Sequence, residues 1–303
     1  LWPWSITSLT KSKCQTREIN ELNFKGQNIY IGIDVHLKSW SVTILSEHSV
    51  LKKFSQDPQT EVLHKFLTCN YPGATYYSVY EAGFWGFWIH RELVHWGINN
   101  IVVNPADVPT MSKEKLRKTN SVDSSKLARE LRSGTLRGIY VPDDVILEMR
   151  SLIRLRNMVV KDTTREKNRI KSLLRFHGID IPDQFTRHSV GNRSKRFLQW
   201  LQSVELSTEY GKKTLDLHIE QHVRLRSTLL EQTRTIRSIS LKEPFKEDIR
   251  LLTSIPGIGM TTATSLLFEI DDIWRFVNAD MLASFVGLVP MCHSSGKKTE
   301  RVI

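Results

Sequence analysis

Apolar positions alternate with small or polar ones through the stretch from Ile29 to His36: Ile29, Ile31, Ile33 and Val35 are β-branched and read as a buried strand. Gly32 has no side chain, so a neighbouring backbone or a ligand can approach it. The same alternation predicts a strand over Ser39 to Leu45 and a shorter one over Val50 to Phe54, joined by hairpin-length gaps. Pro58 to Leu67 carries Val62, Leu63, Phe66 and Leu67 on one helical face. Tyr76 to Tyr80 is aromatic and strand-prone, and Glu81 ends it. Phe87 to Trp96 is an amphipathic helix closed by Gly97. Ile98 to Val103 is another apolar strand, and Ser121 to Leu131 a short helix. Three strands followed by alternating helices and strands predict an α/β layered domain with a mixed sheet over residues 28–144, behind an irregular leader, 1–27.

From Val145 the period changes. Met149, Leu152, Ile153, Val159, Val160, Ile170 and Leu174 recur at helical spacing up to His177, and a second helical run covers Leu215 to Ile239. Gly178 to Lys195, with Pro, Gly and Asn, reads as the connection. The pair predicts a long helical hairpin or coiled coil over residues 145–247. Residues 248–303 turn apolar again and form a third, mainly α-helical segment. It stops at Val302-Ile303 with no cap or polar tail, and the chain opens without Met; the expectation is a partial or decayed copy of a longer protein.

Composition narrows the partners. The 303 residues hold 43 Lys and Arg against 32 Asp and Glu, a formal net charge of +11, with a pI near 9.6. That balance points to a polyanion, with nucleic acid first and an acidic membrane surface second. The first long helical run concentrates the excess, with Arg150, Arg154, Arg156, Lys161, Arg165, Lys167, Arg169, Lys171 and Arg175 against Glu148, Asp162 and Glu166. No apolar run is long enough to span a bilayer. Cys14, Cys69 and Cys292 are scattered, fit no metal spacing and imply a reducing compartment without disulfides.

Four stretches carry candidate chemistry. Asp34 and Glu81 sit near the carboxyl ends of predicted strands, and Asp123 opens a helix. In an open α/β sheet, ligands bind along the edge formed by those strand ends. Carboxylates gathered there need a cation such as Mg²⁺; the plainer reading makes Asp34 a turn cap, Asp123 a helix N-cap and Glu81 an exposed strand end. Arg117, Lys118 and Thr119 precede Asn120 and Asp123, and either hold a phosphate beside the metal or form a solvated loop. The Ile255-Pro256-Gly257-Ile258-Gly259 turn between two short helices has the pattern of a helix–hairpin–helix. Its glycines would admit a phosphate to the backbone without reading sequence; the alternative is a plain helical turn. His293-Ser294-Ser295-Gly296-Lys297-Lys298 offers a serine nucleophile if something activates it, or simply a flexible loop.

In this order, Gly32-Ile33-Asp34-Val35-His36, Tyr80-Glu81-Ala82-Gly83, Lys118 to Asp123, Ile255 to Gly259, Phe285 to Pro290 and His293 to Gly296 resemble the insertion-sequence-110 family of transposases, which includes the Piv-like DNA invertases. The resemblance covers nearly the whole chain from Tyr30. It implies a RuvC-like, ribonuclease-H-like domain with a DEDD acid set that binds Mg²⁺, then a C-terminal transposase domain with a nucleophilic serine. It implies recombination of DNA through a covalent phosphoserine link, in some members guided by a structured RNA, by a homo-oligomer (dimer or tetramer) in a bacterial or archaeal cytoplasm at the nucleoid. The first, second and fourth acids fall on Asp34, Glu81 and Asp123, and the serine on Ser295, with Ser294 as fallback. The third acid position holds Asn120, a neutral oxygen in place of a charge, so weak metal binding and little recombinase activity are expected. The alternatives are a Holliday-junction resolvase, which would use the acids without the serine, and a non-catalytic nucleic-acid-binding remnant.

Overall fold

A computed structural model describes residues 24–109, 120–186, 195–288, 291–295 and 298–302. The chain divides into two compact units, residues 1–141 and 142–303.

The first unit is built on a five-stranded mixed sheet. Its strands are β1 (Asn28–Val35), β2 (Trp40–Leu45), β3 (Val50–Gln56), β4 (Thr75–Glu81) and β5 (Asn99–Val103), in the spatial order β3-β2-β1-β4-β5. β1, β2 and β3 pair antiparallel as hairpins, whereas β4 and β5 continue parallel to β1. The parallel half needs crossover helices, supplied by α1 (Thr60–Asn70) and α2 (Trp88–His95). Because side chains alternate across a strand, Ile29, Ile31 and Ile33 enter one core with Leu63, Leu67, Ile89 and Leu93 from those helices. The opposite face of β1 carries Gly32 and Asp34 and is covered by α3 (Asn120–Arg132). That face holds a second cluster of Val79, Val103, Val108 and Leu127.

The second unit is helical. α4 (Asp144–Phe176, 33 residues) and α6 (Glu209–Ser240, 32 residues) pack along each other. They run antiparallel, since Ile170 and Leu174 share a cluster with Leu215 and Ile219, while Met149 and Ile153 share one with Ile236. The predicted connection from Gly178 contains a helical turn, Asp183–Thr186, and leads into α5 (Lys195–Ser203), which the sequence reading had not marked. Its Phe197 and Leu201 close the far end of the hairpin over Phe185.

α7 (Lys246–Thr253) and α8 (Met260–Ile270) follow, then α9 (Ala279–Phe285) and a two-stranded antiparallel hairpin, β6 (Met291–Ser295) with β7 (Lys298–Val302). Arg150 of α4 donates to the Phe268 and Glu269 carbonyls at the end of α8, and Arg154 grips the Glu269 carboxylate with two donors. These cations meet the negative, hydrogen-bond-poor end of α8. The Arg154 hydrogen bond holds the Glu269 carboxyl below the usual range.

Candidate active site

The sheet register brings two of the predicted acids together. Gly32 of β1 lies opposite Val79 of β4. Two residues further on, and on the same face by alternation, stand Asp34 and Glu81 at the carboxyl ends of neighbouring parallel strands. Both line one cleft with His36, Gly83, Phe84 and Leu127. Asp34 is the more enclosed, with a side chain 18% exposed against 35% for Glu81.

The α3 helix reaches this cleft because of Gly32. A Cβ there would collide with the Ser124 carbonyl and lie 2.5 Å from the Ala128 nitrogen. The close neighbour anticipated for Gly32 is therefore a helix backbone. Thr43 of β2 ties the same helix down through hydroxyl bonds to Ser124 at 2.9 Å and Ser125 at 3.1 Å. Asp123 lies one turn before Leu127 on α3 and is not itself among the residues that line the cleft. Among the described residues, no three His, Cys, Asp or Glu side chains converge closely enough to hold a metal ion by themselves.

Two neighbours of the acids escaped the sequence reading. His36 Nε2 lies 3.0 Å from Asp34 Oδ2. Lys126, whose side chain is only 8% exposed, extends its ammonium to 3.8 Å from Glu81. Burying a lysine is costly without an anionic partner, and the Glu81 carboxylate supplies one. The only signal in the sequence was spacing: Lys126 stands three residues after Asp123, on the same side of the helix.

The donor set suits a hard cation. Mg²⁺ is commonly held by one or two carboxylates, with water and substrate phosphate completing its shell. Asp34 and Glu81 are such a pair, open to a cleft, and Asp123 is the nearest further acid along α3. Lys126 supplies a positive charge at Glu81 and would moderate the attraction for a second one.

The other predicted site residues lie elsewhere. Arg117, Lys118 and Thr119 fall outside the described residues, as do Gly296 and Lys297, while Asn120 is the first residue of α3. In the turn between α7 and α8, Gly257 has φ +90°, a conformation that favours glycine, and Gly259 precedes the first turn of α8. A Cβ at either position would meet nothing within 4 Å, so both face open space. Ser295 ends β6, its backbone paired with Lys298 of β7.

Comparison with known proteins gives a consistent picture. A model of DEDD transposases of the IS110 group, described as "Transposase", matches residues 31–179. A second, described as "Transposase IS116/IS110/IS902 family", matches residues 249–302. The transposase for insertion sequence element IS1533 of Leptospira borgpetersenii is 26% identical over 265 residues, which is 86% of this chain and 74% of that protein. The transposase for insertion sequence element IS1111A of Coxiella burnetii is 24% identical over 214 residues, 69% of this chain and 55% of that protein. The protein y4qE of Sinorhizobium fredii is 28% identical over 228 residues, 75% of this chain and 53% of that protein. The chain thus spans about half the length of several relatives it matches.

Proposed function

The chain belongs to the IS110 family of transposases, and from that membership we propose that it is the DNA-cleaving and strand-exchanging protein of an insertion sequence. The observation that carries the reading is the acid pair: Asp34 and Glu81 end neighbouring parallel strands and share one cleft. The strand order β3-β2-β1-β4-β5, antiparallel then parallel, supports a ribonuclease-H-like, RuvC-like architecture around that pair.

Asp34, Glu81 and Asp123 would hold Mg²⁺ together with water and substrate phosphate, with the neutral Asn120 at the third acid position. Charge stabilisation on the attacking and leaving oxygens of phosphoryl transfer is the chemistry such a metal would supply there. Lys126 offsets the charge of Glu81 before metal and substrate arrive, and α3, seated on Gly32, fixes the spacing between Asp123 and the strand acids. The Ser295 hydroxyl is the nucleophile. It attacks a DNA phosphorus, the bond from that phosphorus to one sugar oxygen breaks, and the sugar oxygen leaves as a free hydroxyl carrying the proton. A phosphoserine link joins protein to DNA, and attack by a second DNA hydroxyl reverses it. The open turn at Gly257 and Gly259, in helix–hairpin–helix manner, with Arg117, Lys118, Thr119, Lys297 and Lys298, contacts the phosphate backbone. A structured guide RNA and a homo-oligomer belong to the same reading.

The test is a protein–DNA adduct that survives denaturant. The chain, and a parallel Asn120→Asp chain, are incubated with labelled element-end DNA, matched RNA and Mg²⁺. The expected result is an adduct, scarce in the parent and more abundant in Asn120→Asp, that disappears with Ser295→Ala and with Asp34→Asn. Cleavage without an adduct would favour a structure-selective nuclease using the acids alone. Binding with neither cleavage nor adduct would reduce the chain to a nucleic-acid-binding protein.

A further inference from the structure

The α4–α6 hairpin has an apolar seam at both ends and a cationic gap in its middle. On α6, no residue between His222 and Ile236 is buried. On α4, the buried positions of the same stretch are Val159, Thr163 and Glu166, two of the three polar. The helices leave a cleft of about 320 Å³ there, lined by Arg156, Val160, Thr163, Thr164 and Lys167 of α4 and by Arg226 and Leu229 of α6. That lining holds three cations, two hydroxyls and no carboxylate. Arg156 gives Nε to Thr233 and one Nη to Asn157, both neutral oxygens. Glu166, an acid of this region, is buried and pairs with His218 and Arg169, and Asp162 pairs with Arg165.

A second observation points to the same place. His222, one turn from Arg226 on α6, is 1% exposed, and neither ring nitrogen has a hydrogen-bond partner. Lys167 and Arg226 are both near enough to disfavour its charged form. Helix pairs gain stability from apolar seams, and like charges facing across one cost it. A seam that gives up apolar packing for cations converging from both helices has the composition of an oxyanion site.

We infer that the mid-hairpin cleft of Arg156, Thr163, Thr164, Lys167 and Arg226 binds a backbone phosphate of nucleic acid, as a site separate from the Asp34–Glu81 cleft. The inference concerns binding alone and stands whether or not the chain cleaves DNA. Arg156 and Arg226 supply charge-assisted donors from opposite helices; the Thr163 and Thr164 hydroxyls donate to the Val159 and Val160 carbonyls and only line the cleft. Because the contact is to phosphate, it is indifferent to base sequence.

The experiment titrates fluorescein-labelled duplex DNA and single-stranded RNA with the full chain without divalent metal, over a series of salt concentrations, and follows anisotropy. Each phosphate contact adds about 0.9 to the salt slope for duplex DNA and about 0.7 for single strands. The Lys167→Gln/Arg226→Gln pair should lower that slope by about 0.9 for duplex DNA or about 0.7 for single strands and weaken binding roughly tenfold at low salt. Arg224→Gln, an exposed α6 cation paired with Glu220, should leave the slope unchanged. The melting temperature of the double variant checks that it folds. If it does not fold, Arg226→Gln carries the test, with a fall of about 1. Unchanged slopes would overturn the inference, as would equal losses in the double variant and Arg224→Gln. So would a melting shift with inorganic phosphate that the double variant loses while its nucleic-acid binding stays intact, or a loss of self-association in place of a loss of binding.

Discussion

Gly32 on β1 and Ala128 on α3 are in backbone contact: a Cβ at Gly32 would lie 2.5 Å from the Ala128 nitrogen and 3.0 Å from its Cβ. This contact joins the strand that carries Asp34 to the helix that carries Asp123, Lys126 and Leu127. The glycine therefore sets the depth at which the helix sits over the strand acids.

Gly32→Ala should force α3 away from the sheet, because backbone atoms cannot yield as a flexible side chain can. Overpacking of this kind costs about 1–3 kcal/mol, and a fall in the urea midpoint without a change in slope would register it. A variant as stable as the parent would show that α3 is not seated on β1.

Lys126→Met should tighten divalent-metal binding at the acid pair, because it removes the ammonium 3.8 Å from Glu81 while keeping the buried stem. A gain of about tenfold, or about 1.4 kcal/mol, is expected in a Mn²⁺ titration followed by calorimetry. Equal or weaker affinity would mean that Lys126 does not act on the pair.

Asn120→Asp should also raise metal affinity, by adding a charge where the resemblance places an acid, and should increase the yield of adduct in Mg²⁺. An aspartate at this position that changes neither quantity would remove Asn120 from the metal site.

The helical hairpin should lose stability in mild acid. Burial pushes the His222 imidazole down to about 4 from an ordinary 6.5, with Lys167 and then Arg226 adding to the effect and Glu166 opposing it. Between those values the unfolded chain holds more protons than the folded one, so stability falls as pH drops from 6.5 to about 4. Above 6.5 this contribution is constant. Its size is on the order of 3 kcal/mol. Burial alone would raise the Glu166 carboxyl, but hydrogen bonds from His218 and Arg169 hold it low, which adds a further loss at more acidic pH. His222→Leu should flatten the melting temperature across the 6.5-to-4 window without lowering it at pH 7, since it removes two unpartnered ring nitrogens. A variant that keeps the full slope would assign the acid sensitivity to other groups.

Much of this architecture was legible in the residues. Ile29, Ile31 and Ile33 announced β1 because one of its faces is buried against helices, and alternation is the direct imprint of that burial. The strand-end positions of Asp34 and Glu81 followed from the same pattern. Lys126 was not legible, since a lysine in a helix reads as solvated until the sheet beneath it supplies an acid. The α5 helix was missed because Phe197 and Leu201 give only two buried positions in a short segment; what stabilises it is Phe185 and the hairpin end, distant in sequence. The gap in the hairpin seam was equally hidden: Arg156 and Lys167 belonged to the charge run of the first long helix, and that Arg226 of the second lines the same cleft showed only once the two helices were set side by side.

The most direct test of the account is a Mn²⁺ titration of the full chain, read by calorimetry and by the loss of free-Mn²⁺ electron paramagnetic resonance signal, for the parent, Asp34→Asn and Glu81→Gln. Saturable binding is expected in the parent, weakening at least tenfold, or about 1.4 kcal/mol, in each variant, with melting temperatures preserved. Binding of equal strength in all three, or no saturable binding in the parent and in Asn120→Asp alike, would contradict it.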